Sequence, residues 1–374
     1  MPTTYVAVDL QAIKHNVQQV RSRLADGCRL MAVVKGNGYG HGTVPVAQAC
    51  AEAGVDWLGV SLVDEGVQLR DAGLELPVLV FLPPLAEECE LGVAQRLTVT
   101  ITTEEDLAWL REAAQAANRP ALAHIYVDSE LGRPSAGEEL PRLMEIAAGF
   151  PQLRITGVYT HLDSTRPPAI QALDIIKPGT ELQAFAATVK ALGRQHLGTQ
   201  LLFHAAASAL FLQQPEAHLD MVRIGTLLYG QYPAVVSQKL RTLDLRNTFE
   251  LCTRIVGIAE LPRGATVGYG KEFVCRRETR VATLPIGYAH GLSLIPESLA
   301  RRRHCWWRRL LRERDTDYAI IGTQQVPIIG RIAMDQCCVD VTDVPDAQIG
   351  TEVVIPTRRV TISPSVPRLN VCID

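Results

Sequence analysis

Residues 30–42 read LMAVVKGNGYGHG, a short apolar run that ends in Lys35 and is followed by a glycine-rich turn. Lysine is rarely kept in a buried strand unless it is paired or used, since burying an unpaired charge is costly. A desolvated lysine has a lowered pKa, and the resulting neutral amine can form a Schiff base with an aldehyde. Taken alone, Lys35 could equally extend its charge from the strand end to solvent.

Seven further apolar runs follow the first one, and amphipathic segments lie between them. The eight candidate strands are Leu30–Lys35, Trp57–Ser61, Pro77–Leu82, Leu97–Thr102, Ala121–Asp128, Ile155–Leu162, Leu201–Ala206 and Met221–Gly230. The candidate helices include Thr43–Ala53, Leu62–Ala72, Thr103–Ala117, Glu138–Gly149 and Glu181–Gln195. Buried-looking strands that alternate with helices are typical of a parallel sheet. Eight repeats favour an α/β fold with a (β/α)8 TIM-type barrel over residues 10–232, because a doubly wound sheet rarely has eight regular repeats.

The pattern changes after Gln231, where short β-rich segments are broken by proline, glycine and aspartate. These segments are Phe249–Ala259, Thr279–Pro285, Gln325–Ile329, Cys337–Val341 and Glu352–Ile355. A helical pattern survives only around Glu297–Arg314. We expect a C-terminal mostly-β domain over residues 233–374, joined by the N-terminal strand of residues 1–9.

Composition narrows the class of protein. The 374 residues are 47% hydrophobic and carry a net charge of -3, which gives no electrostatic reason to expect a nucleic-acid partner. The nine cysteines form no C-x-x-C pair, which indicates buried thiols in a reducing compartment and no metal site. No signal peptide or membrane span is visible, so we expect a cytoplasmic enzyme. The arginine-rich residues 301–314 are either an anion- or membrane-binding surface or a solvated insertion, and we favour the latter.

The motif around Lys35 resembles the cofactor-lysine signature of the alanine racemases. Its matching positions are Lys35, Asn37, Tyr39, Gly40, His41 and Gly42. Gly36 and Gly38 stand where that family usually has small residues, most often alanine. The resemblance extends over nearly the whole chain. It implies a fold type III racemase in which Lys35 binds pyridoxal 5′-phosphate and acts as an acid/base.

The same resemblance implies a set of residues around the cofactor. Tyr39, Ser208, Gly225 and Thr226 would hold the phosphate through hydroxyl and backbone donors. Arg133 would contact the ring hydroxyl of the cofactor and the carboxylate of the substrate. Arg223 would face the pyridine nitrogen, and His161 would support Arg223. Each residue is weak evidence alone, but together they fall at the carboxyl ends of several predicted barrel strands, where such folds carry out catalysis.

In the second domain, residues 265–273 (ATVGYGKEF) resemble the family motif that carries a catalytic tyrosine, here Tyr269. Tyr288 and Met334 match two further motifs and would bind substrate. In this family the second domain of one subunit completes the site of the other, which implies a homodimer with shared active sites. Racemisation needs acid/base groups on opposite faces of the substrate Cα, and Lys35 and Tyr269 would be that pair.

Several positions depart from the family pattern. Pro364 replaces a phosphate-binding tyrosine, Ala207 an asparagine, and Tyr126 a lysine that braces the active-site arginine. Arg166 and His290 stand where acidic residues are usual near the substrate access, and Leu294 stands where an arginine is usual. We expect weaker phosphate anchoring from the loss at Pro364.

Three alternatives to an alanine racemase stay open. The altered access permits a racemase for another amino acid, such as serine. A decarboxylase of the same fold generally has a glutamate at the position of Arg223, which argues against that reaction. Non-catalytic relatives that only bind the cofactor lack the second domain, so the presence of Tyr269 argues against them.

Overall fold

The apolar runs of the N-terminal part form eight parallel strands in the structure, a computed structural model that describes residues 1–128, 131–162, 180–292 and 318–373. The strands are β2 (Arg29–Val33), β3 (Trp57–Val60), β4 (Val78–Val80), β5 (Thr98–Ile101), β6 (Ala121–Tyr126), β7 (Leu153–Tyr159), β8 (Leu202–His204) and β9 (Met221–Ile224). Neighbours in sequence pair in order from β2 to β8, and β9 pairs with β2. A parallel bridge between Ala207 and Arg223 joins the last two strands. The expected barrel is confirmed.

Helices follow the strands, as expected for this fold. They are α1 (Leu10–Arg21), α2 (Thr43–Glu52), α3 (Val63–Asp71), α4 (Ala86–Ala94), α5 (Glu104–Ala116), α6 (Leu140–Ala148), α7 (Thr180–Leu192) and α8 (Ser208–Gln213). Helix α5 shows why such a segment begins where it does. Thr103 Oγ1 accepts a bond from Asp106 N, and Asp106 Oδ2 accepts one from Thr103 N, so two backbone donors at the helix start are satisfied.

The interior of the barrel is filled by large side chains. One cluster of buried residues consists of Met31, Trp57, Leu79, Tyr126, Tyr159 and Met221, contributed by six different strands. All eight observed strands end one to six residues before their predicted carboxyl ends. The reason is that the last apolar residues of each run leave the sheet and form the loops at its carboxyl edge.

A second unit consists of residues 1–9 and 248–373 among those described. Its strands are β1 (Tyr5–Val8), β10 (Phe249–Arg254), β11 (Gly257–Leu261), β12 (Thr266–Val267), β13 (Phe273–Val274), β14 (Thr279–Leu284), β15 (Tyr318–Ile321), β16 (Gln324–Ile329), β17 (Cys337–Asp340), β18 (Glu352–Ile355) and β19 (Arg368–Asn370). Nine of them form a sheet in the order β11-β14-β17-β16-β15-β18-β10-β1-β19, and β12 and β13 form a separate hairpin. The N-terminal strand lies between β10 and β19, which explains why it belongs to this unit.

Two details of the second domain differ from the sequence analysis. The single strand expected over 249–259 is two strands, because the chain passes from pairing with β18 to pairing with β14. Residues 233–247 group with the barrel, although their sequence predicts that they belong to the β-rich domain. The buried Asn16 on α1 explains this grouping, since its side chain accepts from Arg246 N and donates to Arg246 O. The helical pattern of residues 297–314 and the arginine-rich segment lie outside the described residues.

The contact between residue 230 and residue 246 offers a test of how firmly that segment is held. Gly230 has a φ of 74°, and a Cβ there would overlap the Arg246 carbonyl. We expect Gly230→Ala to destabilise the protein by about 3 kcal/mol, because it combines left-handed strain with a backbone overlap. Thermal unfolding would measure the shift of the midpoint.

Gly198→Ala is the matched control for this prediction. Gly198 has a φ of 62°, but a Cβ there would meet nothing within 4 Å, so strain alone should cost about 1 kcal/mol. Equal destabilisation by the two variants would contradict a tight contact between residues 230 and 246.

Candidate active site

Lys35 stands immediately after β2, at the start of a left-handed turn. Gly36, Asn37 and Gly38 have φ angles of 64°, 55° and 59°, so the chain coils in the sense opposite to an α-helix. Glycine adopts this conformation without strain, and asparagine tolerates it better than most residues. Gly36 N donates to Glu65 Oε1 at 2.6 Å, which ties the turn to the start of α3. The turn therefore fixes the point at which Lys35 leaves the strand.

The ammonium group of Lys35 lies in an environment that disfavours its charge. Burial lowers the pKa of Lys35, and the positive charges of Arg133 and Arg223 lower it further, while Glu65 opposes the effect. The Lys35 Nζ also lies 5.7 Å from the centroid of the Phe81 ring. A larger share of the side chain is therefore a neutral amine than for an exposed lysine, and the neutral amine is the nucleophile.

A cavity of about 750 Å³ at the carboxyl edge of the barrel brings the predicted residues of this unit together. Its lining includes Lys35, Tyr39, Arg133, His161, Ser208, Arg223, Gly225 and Thr226. Its described lining residues include three cationic side chains, those of Lys35, Arg133 and Arg223, and no carboxylate. A cavity of this charge suits a ligand with anionic groups.

One side of the cavity has the close packing and the donors that a phosphate requires. A Cβ on Gly225 would lie 2.5 Å from the Tyr39 hydroxyl oxygen, so only glycine lets the backbone approach this phenol. Gly225 N donates to Ser208 Oγ at 3.2 Å, and the Ser208 hydroxyl can in turn donate to an anion. The Tyr39 ring stacks on Tyr229 with centroids 4.7 Å apart. These residues fit the phosphate of pyridoxal phosphate.

Arg223 lies almost fully buried on β9, with its guanidinium held by acceptors of two neighbouring strand ends. Nη1 donates to His204 Nδ1 at 2.8 Å, and Nη2 donates to the carbonyls of Thr160 and Ala205 at 2.7 and 2.9 Å. His161 Nδ1 lies 3.4 Å from Nη2, close enough for the contact with Arg223 that the family resemblance implies. Burial lowers the pKa of Arg223 to about 10, so the side chain stays cationic at neutral pH.

His204 and its partner His124 belong to the site but were not predicted from the sequence. Because His204 Nδ1 accepts from Arg223, its Nε2 carries the proton, and this nitrogen lies 3.1 Å from His124 Nδ1. Burial lowers the pKa of His124 to about 3 and that of His204 well below its ordinary value, so both rings are neutral. The His204 ring also stacks on Tyr159, with an interplanar angle of 3°. A histidine in an apolar strand was the available signal, but it is equally common in an ordinary core.

The other predicted residues lie in the second unit and do not line this cavity. Tyr269 begins a short turn, Tyr269–Lys271, and is 70% exposed in the single chain. Tyr288 and Met334 are neighbours, since Tyr288 N donates to Ala333 O and Ala289 N donates to Met334 O. Their exposed fractions are 51% and 56%. Three large side chains of one unit are therefore left open to solvent within the chain.

The departures from the family pattern are also placed by the structure, apart from Arg166 and Leu294, which lie outside the described residues. Ala207 lines the cavity, and Pro364 is exposed in the second unit. His290 Nδ1 accepts from Gly287 N, so this ring caps its own turn. Tyr126 is buried, and its hydroxyl donates to Asp128 Oδ1 at 2.7 Å.

Comparisons with known proteins identify the same family for both units. The sequence profile of the alanine racemase N-terminal domain matches residues 8–233, and that of the C-terminal domain matches residues 248–369. The alanine racemase of Desulfovibrio desulfuricans is 35% identical over 354 residues, which cover 94% of this chain and 88% of that protein. Alanine racemase 1 of Caldanaerobacter subterraneus subsp. tengcongensis is 34% identical over 358 residues, covering 94% and 85%.

Solved structures give the same result. The alanine racemase from D-cycloserine-producing Streptomyces lavendulae is similar with a TM-score of 0.83 at 30% identity, covering 100% of this chain and 98% of that chain. The enzyme of Streptomyces coelicolor A3(2) gives a TM-score of 0.81 at 29% identity, covering 99% and 98%. With both domain profiles matched in order and relatives similar over nearly its whole length, this chain belongs to the alanine racemase family.

Proposed function

We propose that this chain interconverts L- and D-alanine with pyridoxal 5′-phosphate as cofactor, using Lys35 and Tyr269 as its two acid/base groups. The observation that carries the proposal is the single cavity that combines a half-buried lysine, a buried arginine and a set of phosphate donors. The relatives in the comparison are named alanine racemases, which supports alanine as the substrate. A racemase for another amino acid, such as serine, is the alternative that a panel of L-amino acids would test.

Within the barrel, each polar group has a distinct task in this proposal. Lys35 would hold the cofactor through Nζ, and Tyr39, Ser208, Gly225 and Thr226 would hold its phosphate. When bound, the cofactor supplies an electron sink for the charge that develops at the substrate Cα. Lys35 Nζ would accept or return the proton at one face of that carbon. An amine suits this task when burial and neighbouring cations lower its pKa, as they do for Lys35.

Arg223 would govern the protonation of the cofactor ring. All its described bonds run from its own donors to carbonyls and histidine nitrogens, and its charge persists at neutral pH. A permanent cation beside the pyridine nitrogen disfavours protonation of that nitrogen, because two positive charges would then be adjacent. This weakens the electron sink and favours return of the proton to Cα over other outcomes.

We further propose that Tyr269 acts in the site of a second copy of the chain, in a homodimer. The second unit has several large side chains with 49% to 70% of their surface exposed, among them Tyr269, Tyr288, Met334 and Val274. Exposed aromatic and apolar side chains on one unit favour a protein–protein contact. A contact around a twofold axis would cover both copies of this surface at once.

A cytoplasmic location completes the proposal. All eight cysteines among the described residues are free thiols, which favours a reducing compartment. In the same part of the chain, no helix has the length and apolar character needed to cross a bilayer. Small-molecule amino acids are the expected substrates.

The environment of Lys35 leads to a prediction about pH. The apoenzyme should capture pyridoxal phosphate through the neutral amine, so the capture rate should rise with pH and level off below the ordinary lysine pKa. Arg133→Gln should move the midpoint to higher pH, because a charge that lowers the pKa is removed. Glu65→Gln should move it to lower pH, because Glu65 raises the pKa. Stopped-flow absorbance would measure the rates, and midpoints that move in the opposite directions would contradict this account.

The role of Tyr269 can be tested by isotope exchange. We expect Tyr269→Phe to keep the cofactor but to lose racemisation by at least about 100-fold, since one acid/base group is missing. The variant should still exchange the Cα hydrogen of one alanine enantiomer with D₂O, because Lys35 remains on its face. Mass spectrometry of each enantiomer would measure the exchange. Tyr318→Phe, another exposed tyrosine of the same unit, is the control and should behave as wild type; racemisation at the wild-type rate by Tyr269→Phe would exclude the role.

Sharing of the site between subunits can be tested by complementation. Lys35→Ala and Tyr269→Phe should each be nearly inactive alone. A mixed dimer of the two variants has one site with both groups intact if Tyr269 comes from the partner. Random co-assembly should therefore restore about a quarter of wild-type activity, as half the dimers carry one good site of two. Absence of recovery in mixtures shown to contain mixed dimers would place both groups in the same subunit.

A further inference from the structure

Hydrogen bonds that involve the Tyr126 phenol and the Asp128 carboxylate hold the segment that carries Arg133 to the end of β6. Tyr126, the last residue of β6, is 5% exposed, and its ring packs against Tyr159 with centroids 5.1 Å apart. Its hydroxyl donates to Asp128 Oδ1 at 2.7 Å. The phenol of Tyr126, which lines the cavity, therefore holds the Asp128 carboxylate.

The other oxygen of the same carboxylate holds the backbone next to Arg133. Gly132 N donates to Asp128 Oδ2 at 2.8 Å, and Arg133 N points to the same oxygen at 3.4 Å. Ala136 N donates to the Tyr126 carbonyl at 2.9 Å, which closes the far end of the segment. Two backbone positions on either side of Arg133 are thus anchored to Tyr126, one through Asp128 and one directly.

The Arg133 side chain itself is left for another partner. It lines the cavity and is exposed, and it forms no ion pair with a carboxylate among the described residues. The Asp128 carboxylate accepts from the Tyr126 phenol and the Gly132 amide, and the Arg133 amide points to it. A guanidinium has five donors in a planar fork that matches a carboxylate ligand. A backbone held in place, with a guanidinium that forms no ion pair within the described ranges, is an arrangement suited to binding such a ligand.

We propose that Tyr126 is a positioning residue that acts through Asp128 to fix Arg133 for binding the carboxylate of the substrate. The inference rests on the proposed function for the identity of that substrate, but the hydrogen-bonded chain stands on its own geometry. Tyr126 suits the task because burial and its bond to Asp128 raise its pKa above the ordinary tyrosine value, so the phenol keeps its proton and remains a donor. A donor paired with a carboxylate gives a stronger bond than two neutral groups.

The test compares Tyr126→Phe with wild type as full-length holoenzyme. The substitution removes the hydroxyl but keeps the ring that packs on Tyr159. Loss of one hydrogen bond to a charged group should weaken the hold on Arg133 by about tenfold. We expect the KM for L-alanine to rise by roughly that factor while kcat stays within about twofold, because binding of the carboxylate is affected and proton transfer is not. Cofactor content should be unchanged.

Tyr5→Phe is the matched control. Tyr5 is also a buried phenol at a strand, and its hydroxyl donates to a carboxylate, that of Glu352, at 3.0 Å. This variant loses the same kind of bond in the second unit, so it should leave the KM for alanine unchanged. A similar rise in KM for both variants would show a general loss of stability and would overturn the proposal.

A second readout separates this inference from the proposed function. Hydrogen–deuterium exchange of the peptide that contains Gly132 and Arg133 should be faster in Tyr126→Phe, by about tenfold, and unchanged in Tyr5→Phe. If wild type racemises no amino acid, the proposed function fails, and the exchange result still decides whether Tyr126 orders this segment. Unchanged exchange with unchanged KM would refute the inference, and a fall in kcat at constant KM would overturn it by placing Tyr126 in the chemical step.

Asp128→Asn provides an independent variant if Tyr126→Phe does not fold. The amide has one oxygen, so it cannot accept from the phenol and from the Gly132 amide through separate oxygens as the carboxylate does. We expect the same rise in KM and the same faster exchange. Wild-type values for both quantities would show that the Tyr126–Asp128 bond does not position Arg133.

Discussion

A buried cation ties together the strand ends where the barrel closes. Arg223 is only 4% exposed, and a guanidinium charge persists in a protein interior only when its hydrogen-bond donors are satisfied. Its acceptors lie at the ends of β7 and β8, while Arg223 itself belongs to β9. The adjacent backbone bond from Arg223 N to Ala206 O completes the closure. The same residue therefore contributes to the fold and to the cavity that the fold creates.

The charge balance of the cavity follows from this arrangement. Lys35, Arg133 and Arg223 line one space with no carboxylate among its described lining residues, and the two arginines disfavour the charge on Lys35. Lys35 is the member that can lose a proton at moderate cost, because an amine titrates at lower pH than a guanidinium. The proposed division of labour has the same basis: Arg133 would bind a carboxylate, Arg223 would face the pyridine nitrogen, and Lys35 would exchange a proton.

Neutral hydrogen-bonding groups support these charges from behind. His204 and His124 are kept uncharged by burial, so they can accept and donate next to Arg223 without adding a further positive charge. Tyr126 stabilises the Asp128 carboxylate in a comparable way, since its phenol retains its proton and donates a hydrogen bond. In both cases an aromatic group of the barrel core meets a polar group of the site, which joins the packing of the interior to the geometry of the cavity.

The sequence by itself determined the barrel, the β-rich second unit and the membership of Lys35, Tyr39 and Arg223 in one site. The two units could be predicted because apolar runs are local signals, written in consecutive residues, and the three site residues because their motifs resemble those of one family. Only the tertiary structure decided that His204 accepts from Arg223, that Asp128 connects Tyr126 with the Arg133 backbone, and that residues 233–247 group with the barrel through Asn16. These are contacts between residues far apart in the chain or between a side chain and a loop backbone. The energy of these contacts depends on distances and burial, which a pattern of residues does not specify. The contacts therefore form only when the strands have assembled.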